Sequence, residues 1–211
     1  MKPRTRPPLK PGEAPPGLCP GCWLAHAACL CREAPFVRTR TRFVVIRHDH
    51  ESRRRTNSGR LVPLALANAE IVSIGGPSDP PTRVAPGPGV NWLLYPDGTP
   101  APPGPPPDRV YVLDGTWSQA RRIFLRNPAL QRLPRLSLAP EFPAVARLRR
   151  ELVPERMATL EAVARAVDLL EGPRAGNTVM DYFDEFVRRN VASAAAAGRR
   201  IGTPAGPGRT R

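Results

Sequence analysis

The feature that most constrains the fold is the alternation of short apolar runs with stretches of helical periodicity. Phe43 to Ile46, Ile71 to Ile74, Asn91 to Tyr95 and Arg109 to Leu113 each read as a buried strand, and Leu136 to Leu138 as a weak one. Between and after them come helical segments at Leu61 to Asn68 and Gln119 to Leu125. A longer helix at Met157 to Leu170 sets Leu160, Val163, Ala164, Val167 and Leu170 at helical spacing and is stopped by Gly172 and Pro173. A final helix runs from about Thr178 to Ala196. Strands that alternate with helices need crossover connections, so the expected class is α/β, a mainly parallel sheet with helices on its faces.

The 211 residues fit one such domain with trimmings. Proline and glycine concentrate in Met1 to Gly17, Gly75 to Gly89, Pro96 to Asp108 and Gly202 to Arg211, which read as loops and tails. The expected division is a basic proline-rich leader (1–18), a cysteine segment (19–32), the α/β body (33–197) and a basic tail (198–211). No apolar run is long enough to cross a bilayer, and the leader lacks the apolar centre of a signal peptide, so a cytoplasmic protein with no membrane partner is expected.

The net charge is +14, and Lys2 and Lys10 are the lysines, so the positive charge is almost wholly arginine. The leader carries +3 and the tail +4, which leaves +7 on the body. A polyanion is the expected partner, and without an amphipathic basic helix, RNA or DNA is favoured over a membrane surface. Arg53, Arg54, Arg55, Arg60, Arg121, Arg122, Arg147, Arg149 and Arg150 supply guanidinium forks suited to phosphates.

All four cysteines fall in one short segment, Cys19, Cys22, Cys29 and Cys31. Clustered thiols in a reducing compartment more often bind metal than form disulfides, and four thiolates suit tetrahedral Zn2+. A closed sulfur sphere leaves no place for substrate, so the zinc would be structural; His26 is a competing ligand, and an iron-sulfur cluster uses the same donors.

In Arg109-Val-Tyr-Val-Leu-Asp-Gly-Thr-Trp-Ser-Gln-Ala-Arg-Arg-Ile-Phe124 a strand delivers Asp114 to its carboxyl end and a helix follows at once. In open α/β sheets ligands gather there, at strand ends and helix N-termini. The same residues also suit plain helix capping by Asp114 or Thr116. Asn57-Ser58-Gly59 reads as a turn approaching a ligand or as a helix start, Thr159 and Glu161 as the beginning of a helix, and His50 and Glu51 as a polar pair after a strand.

Taken in chain order, the cysteine cluster, His48-Asp-His-Glu51, Thr56-Asn-Ser-Gly-Arg-Leu61, Asp114-Gly-Thr-Trp-Ser-Gln-Ala120, Arg147-Leu-Arg149 and Met157-Ala-Thr-Leu-Glu-Ala162 resemble the DTW-domain family, over about Cys19 to Leu170. The resemblance implies a tRNA-uridine aminocarboxypropyltransferase, which moves the 3-amino-3-carboxypropyl group of S-adenosylmethionine to N3 of a uridine and releases 5′-methylthioadenosine. It implies Asp114 as the catalytic base or a cofactor ligand, with Thr116, Trp117, Asn57, Ser58, Gly59, Thr159 and Glu161 binding S-adenosylmethionine. It also brings in a knotted, SPOUT-like arrangement of the sheet. The chain departs from the family pattern at Ser58, where threonine is usual, at Ala158, where a small polar residue or cysteine is common, and at Ala146, where an aromatic is frequent. Two other readings share some of these features: an S-adenosylmethionine-dependent RNA methyltransferase, and a non-catalytic zinc-containing RNA-binding module.

Overall fold

The computed structural model describes residues 14–75, 83–100, 102–138 and 157–196. Its centre is a parallel sheet of β1 (Arg42–His48), β2 (Ala69–Ile74), β3 (Asn91–Thr99), β4 (Arg109–Asp114) and β5 (Arg135–Leu136). The spatial order is β2-β1-β4-β3-β5, and every adjacent pair is parallel. The helices are α1 (Asp49–Ser52), α2 (Val62–Ala65), α3 (Trp117–Arg126), α4 (Pro128–Gln131), α5 (Thr159–Glu171) and α6 (Pro173–Ala196). The expected α/β class is what the chain adopts.

Two-residue alternation sends each central strand to two cores. Phe43 and Val45 of β1, with Val110 and Val112 of β4, face a layer built from α5, α6 and the cysteine segment, where Leu160, Val167, Phe183 and Phe186 are buried. Val44 and Ile46, with Tyr111, Leu93 and Tyr95, face α3 and α4 through Ile123, Phe124 and Leu130. Burying both faces explains why β1 and β4 read as near-continuous apolar runs. Cys19, Cys22, Leu24 and Leu30 belong to the first core, so the cysteine segment packs on the body.

The sheet order places the site. From β1 the chain continues to β2 on one side; from β4 it continues through α3 and α4 to β5 on the other. The carboxyl ends of β1 and β4 are neighbours, with Arg47 opposite Asp114, and their connections diverge. A crevice opens where such connections part, and this is where ligands bind in open α/β sheets.

Three boundaries differ from the sequence reading. The helix expected over Leu61 to Asn68 ends at Ala65, because Val37 takes over the following backbone: Val37 donates to Ala65 O, and Ala67 donates to Val37 O. The segment Pro96 to Asp108, read as a loop, continues β3 to Thr99, where Ser137 N donates to Thr99 O. The last helix starts at Pro173, five residues before the expected Thr178, because Gly172 (φ 99°) breaks the chain and proline favours a first helical turn. The leader up to residue 13, the tail from 197, the Arg147-Leu-Arg149 motif and the path on which a knot would be judged, 139–156, lie outside the described residues.

Candidate active site and metal centre

Asp114, the last residue of β4, is 3% exposed. Its side chain turns toward the α5 face, and residues from two distant stretches meet it, the 57–59 turn and the start of α5. Asn57 Nδ2 donates to Oδ2 at 2.7 Å, and Thr159 Oγ1 donates to Oδ1 at 2.6 Å. Gly59 lies so close that a Cβ there would stand 2.4 Å from Oδ2. Burial raises the proton affinity of this carboxyl above its ordinary value, and the bonds from Thr159 and Asn57 oppose the rise in part. Each carboxylate oxygen keeps a further lone pair.

The partners are themselves fixed. Asn57 Oδ1 accepts from Arg60 N at 3.1 Å, which sets the amide so that its nitrogen faces Asp114. Ser58 Oγ accepts from Leu160 N at 3.2 Å and so ties the turn to the start of α5. Ala158 occupies the cap position of α5 and offers no side-chain acceptor, while Glu161, 3% exposed, reaches back to Ala158 N at 3.1 Å. Asn57, Ser58, Gly59, Thr159 and Glu161 thus gather with Asp114 at the switch point.

Thr116 and Trp117 do not join this cluster. Thr116 caps α3, accepting from Gln119 N at 3.4 Å while its own N–H donates to Gln119 Oε1 at 2.7 Å. Trp117 is 41% exposed and stacks on Tyr95, a residue of the opposite core.

The rim after β1 is basic and aromatic. His48 Nδ1 accepts from His50 N at 3.3 Å, and the two rings meet edge to face with centroids 5.1 Å apart. Burial, then the nearby charges of His50 and Arg122, lower the His48 pKa below its ordinary value, which favours the neutral ring that the bond requires. Glu51 is buried against Arg54 at 3.1 Å, and Arg53 pairs with Asp49 at 3.4 Å while staying largely exposed. Arg121 and Arg122 are exposed on α3, and Arg55 is half-buried.

Arg60 was expected among the phosphate ligands, and the structure uses it otherwise. It is buried, donating from Nε to Asn57 O at 3.2 Å and from Nη2 to Ser52 O and Arg54 O at 3.1 and 2.7 Å. Its guanidinium lies 3.7 Å from the centre of the Trp23 ring. The correction has a simple cause: a guanidinium already donating to three carbonyls, and buried, has little left to offer a phosphate.

The four cysteine sulfurs lie within 4.8 Å of one another, with neighbouring pairs at 3.4, 3.6 and 3.9 Å. Four thiolates about 2.3 Å from a tetrahedral Zn2+ stand roughly 3.8 Å apart, so the arrangement fits such an ion without rearrangement. The proton affinities split in a way that fits a cation: a hydrogen bond from Cys31 lowers the Cys22 thiol to about 5, while the Cys31 thiol is pushed up by sharing with Cys22 and by burial, and Cys29 is pushed up by burial. A bound cation would favour the thiolate form of its sulfur ligands. His26, exposed in a short turn, is not among the gathered donors.

Sequence reasoning missed how the segment is held: Arg189 of α6 donates to Ala28 O and Cys29 O at 3.3 and 3.0 Å and pairs with Glu33 at 2.6 Å. No periodicity or motif signals a contact 156 residues apart in the chain.

The model of the family described as DTW domain matches residues 17–191. The chain belongs to the DTW domain family. The match spans the cysteine segment, the switch point and both long helices, so the gathered site is part of the domain. A curated relative from Arabidopsis thaliana, tRNA-uridine aminocarboxypropyltransferase A, is 25% identical over 214 residues, covering 81% of this chain and 80% of its own. No solved structure is significantly similar. No helix among the described residues is long and apolar enough to cross a membrane.

Proposed function

We propose that this DTW domain is a tRNA-uridine aminocarboxypropyltransferase, using S-adenosylmethionine as co-substrate and releasing 5′-methylthioadenosine. The observation that carries the reading is the buried Asp114, assembled with Asn57, Gly59 and Thr159 at the sheet's switch point in a chain similar to an enzyme of that name. A merely capping aspartate would be exposed at the helix start; here Thr116 does the capping and Asp114 is drawn inward.

In the proposed reaction uridine N3 attacks the methylene carbon beside the sulfonium. The N3–C bond forms, the C–S bond breaks with its electron pair going to sulfur, and the N3 proton passes to Asp114 directly or through one water. Burial supports that role, because a carboxylate with raised proton affinity is a better match for a weakly acidic N–H. Asn57 and Thr159 hold the carboxylate in one orientation, which counts where catalysis rests on aligning three atoms. The start of α5, with Ala158 offering no cap, is assigned to the methionyl carboxylate, with Glu161 and the Asn57-Ser58-Gly59 turn beside it. The arginines of the rim, Arg53, Arg54, Arg55, Arg121 and Arg122, together with Arg147, Arg149 and Arg150, are assigned to tRNA phosphates. The four cysteines would hold a structural Zn2+ that supplies folding energy and no chemistry. A cytoplasmic location fits a tRNA substrate.

The test is mass spectrometry of an unmodified tRNA transcript incubated with the protein and S-adenosylmethionine. An aminocarboxypropyl-uridine together with 5′-methylthioadenosine is expected. A methylated base with S-adenosylhomocysteine would make the protein a methyltransferase, and no product across varied tRNAs would make it a binding module.

A further inference from the structure

A second feature lies at the same sheet edge but on the opposite face from the Asp114 carboxylate. Trp117 stacks on Tyr95 with ring centres 5.7 Å apart and planes 29° apart, and Tyr95 stacks on Phe124 at 4.5 Å and 21°. Arg135 lies 5.1 Å from the centre of the Phe124 ring. The inner rings are buried, with Tyr95 at 8% and Phe124 at 9% exposure, whereas Trp117 at the end of the stack is open. A groove of about 390 Å³ runs along it, lined also by Arg121 and Leu125.

Tyr95 and Phe124 belong to the core, but Trp117 at the end of the stack does not. Trp117 is among the few large apolar side chains left exposed among the described residues, and Leu125, also in the groove, is another. An aromatic ring supported from behind by two more is rigid, so stacking a flat partner on it costs little ordering entropy. The charge around it selects that partner. Arg121, Arg122 and Arg126 are exposed on α3 with no ion pair among the described residues. The acid of the groove, Asp97, is already bound to Arg135 at 2.8 Å. A flat π-face flanked by free guanidinium groups complements a nucleobase with its phosphates; an acidic or neutral peptide would use only one half of it.

We infer that the Trp117–Tyr95–Phe124 stack is a docking site for an unpaired base of the RNA substrate, with Arg121 and Arg122 on the adjoining phosphates. The inference rests on the reading of RNA as substrate. It assigns Trp117 to RNA, where the sequence had suggested the cofactor. A base stacked here lies across the carboxyl edge of the sheet from Asp114, so the site holds a neighbour of the reacting uridine.

The test measures binding, which does not depend on turnover. Trp23 and Trp92 are buried, so the accessible indole fluorescence belongs to Trp117. A uridine hexaribonucleotide should quench it, and an abasic hexamer of the same charge should not. Trp117→Ala should weaken binding of an unmodified tRNA transcript by roughly 5- to 150-fold, the range for losing one base-aromatic stack, and Trp117→Phe should restore most of it. S-adenosylmethionine affinity, by equilibrium dialysis, should stay within about twofold. Equal quenching by the abasic hexamer, or unchanged tRNA affinity in Trp117→Ala, overturns the inference. Loss of S-adenosylmethionine binding also overturns it, because the shelf would then hold the adenine. Because Trp117→Ala could fail to fold, the quenching and Trp117→Phe arms stand independently. If wild-type protein modifies no tRNA yet passes these tests, the transferase reading fails and the docking site stands; if it modifies tRNA and fails them, the reverse holds.

Discussion

Gly59 offers the sharpest test of how the site is built. Adding one methyl group there, Gly59→Ala, places a Cβ 2.4 Å from Asp114 Oδ2, 2.7 Å from its Cγ and 3.1 Å from Oδ1. That is about 1 Å inside ordinary contact distance. A surface side chain would swing aside, but Asp114 is buried and held through both oxygens by Asn57 and Thr159. Either the carboxylate turns and gives up a charge-assisted hydrogen bond, or the turn backs away and takes Asn57 with it. Overpacking of this kind costs about 1–3 kcal/mol, which in a domain of this size lowers Tm by roughly 3–10 °C. A displacement on the order of 1 Å at a catalytic group can cost about a hundredfold in rate.

The backbone makes the experiment clean. Gly59 does not have positive φ, so alanine there is not strained for conformational reasons and would by itself stabilise by reducing unfolded-state entropy. The double variant Gly59→Ala with Asp114→Ala therefore isolates the clash. Asp114→Ala deletes the three atoms that stand nearest the new methyl group, so in that background Gly59→Ala should be neutral or slightly stabilising in a denaturant melt. The two changes should couple by about 1–3 kcal/mol. An equal penalty in both backgrounds would refute the reasoning, since the glycine would then be needed for something other than room for the carboxylate.

Asp114→Asn keeps the size and replaces the charge. It should abolish aminocarboxypropyl transfer without lowering Tm at pH 7, whereas Asp114→Ala, which strands Asn57 and Thr159, should cost about 2–4 kcal/mol by melting. The pH dependence has a definite sign: because burial raises the folded pKa of Asp114 above its ordinary 3.8, its contribution to stability is full below that value and is lost as pH rises through the folded value. Asp114→Asn should flatten that loss, and an unchanged stability profile from pH 4 upward would count against it. Removing the metal with a chelator, or Cys22→Ser, should release the bound ion and lower Tm together; a protein that melts normally without metal excludes a structural centre. Affinity for tRNA should fall steeply with salt, and Arg121→Ala with Arg122→Ala should reduce the slope by about two ions, as read from a titration series; a slope unchanged by the pair would remove α3 from the RNA surface.

What could be read from the sequence divides along physical lines. The strands at Phe43 to Ile46 and Arg109 to Leu113 are central and buried on both faces, so each shows as an apolar run and was legible. So were the four thiols, because a C-x2-C and a C-x-C close in sequence can fold onto one ion with few other constraints. Asp114 could be placed at a strand end, but not its burial, nor its bonds to side chains 57 and 45 residues away. Those depend on the β2-β1-β4-β3-β5 order, which local pattern does not encode. Arg60 misled for the same reason: an arginine within a basic run looks like a phosphate ligand until the fold turns it inward onto Trp23. The end of α2 was set by Val37, a tertiary partner that overrides local helical preference.

The contacts also show how the cysteine segment is joined to the Asp114 cluster. Trp23 follows Cys22 directly and adopts a left-handed backbone (φ 59°), an unfavourable state for a bulky residue that the surrounding structure must over-determine. Its N–H donates to Cys19 O at 2.8 Å, and its ring is covered by Arg60. Arg60 holds Asn57 through both the Asn57 side-chain oxygen and its carbonyl, and Asn57 holds Asp114. Four links therefore run from a cysteine of the cluster to the candidate catalytic carboxylate, each a named contact and none exposed to the screening that weakens surface pairs. At the other side Arg189 fastens the segment to α6, which packs on α5, whose first residue Thr159 reaches the other Asp114 oxygen. The carboxylate is thus fixed from two directions by elements that both lean on the cysteine segment. The short Asn57-Ser58-Gly59 turn that holds Asp114 is thus braced through Arg60 and Trp23 against the cysteine segment.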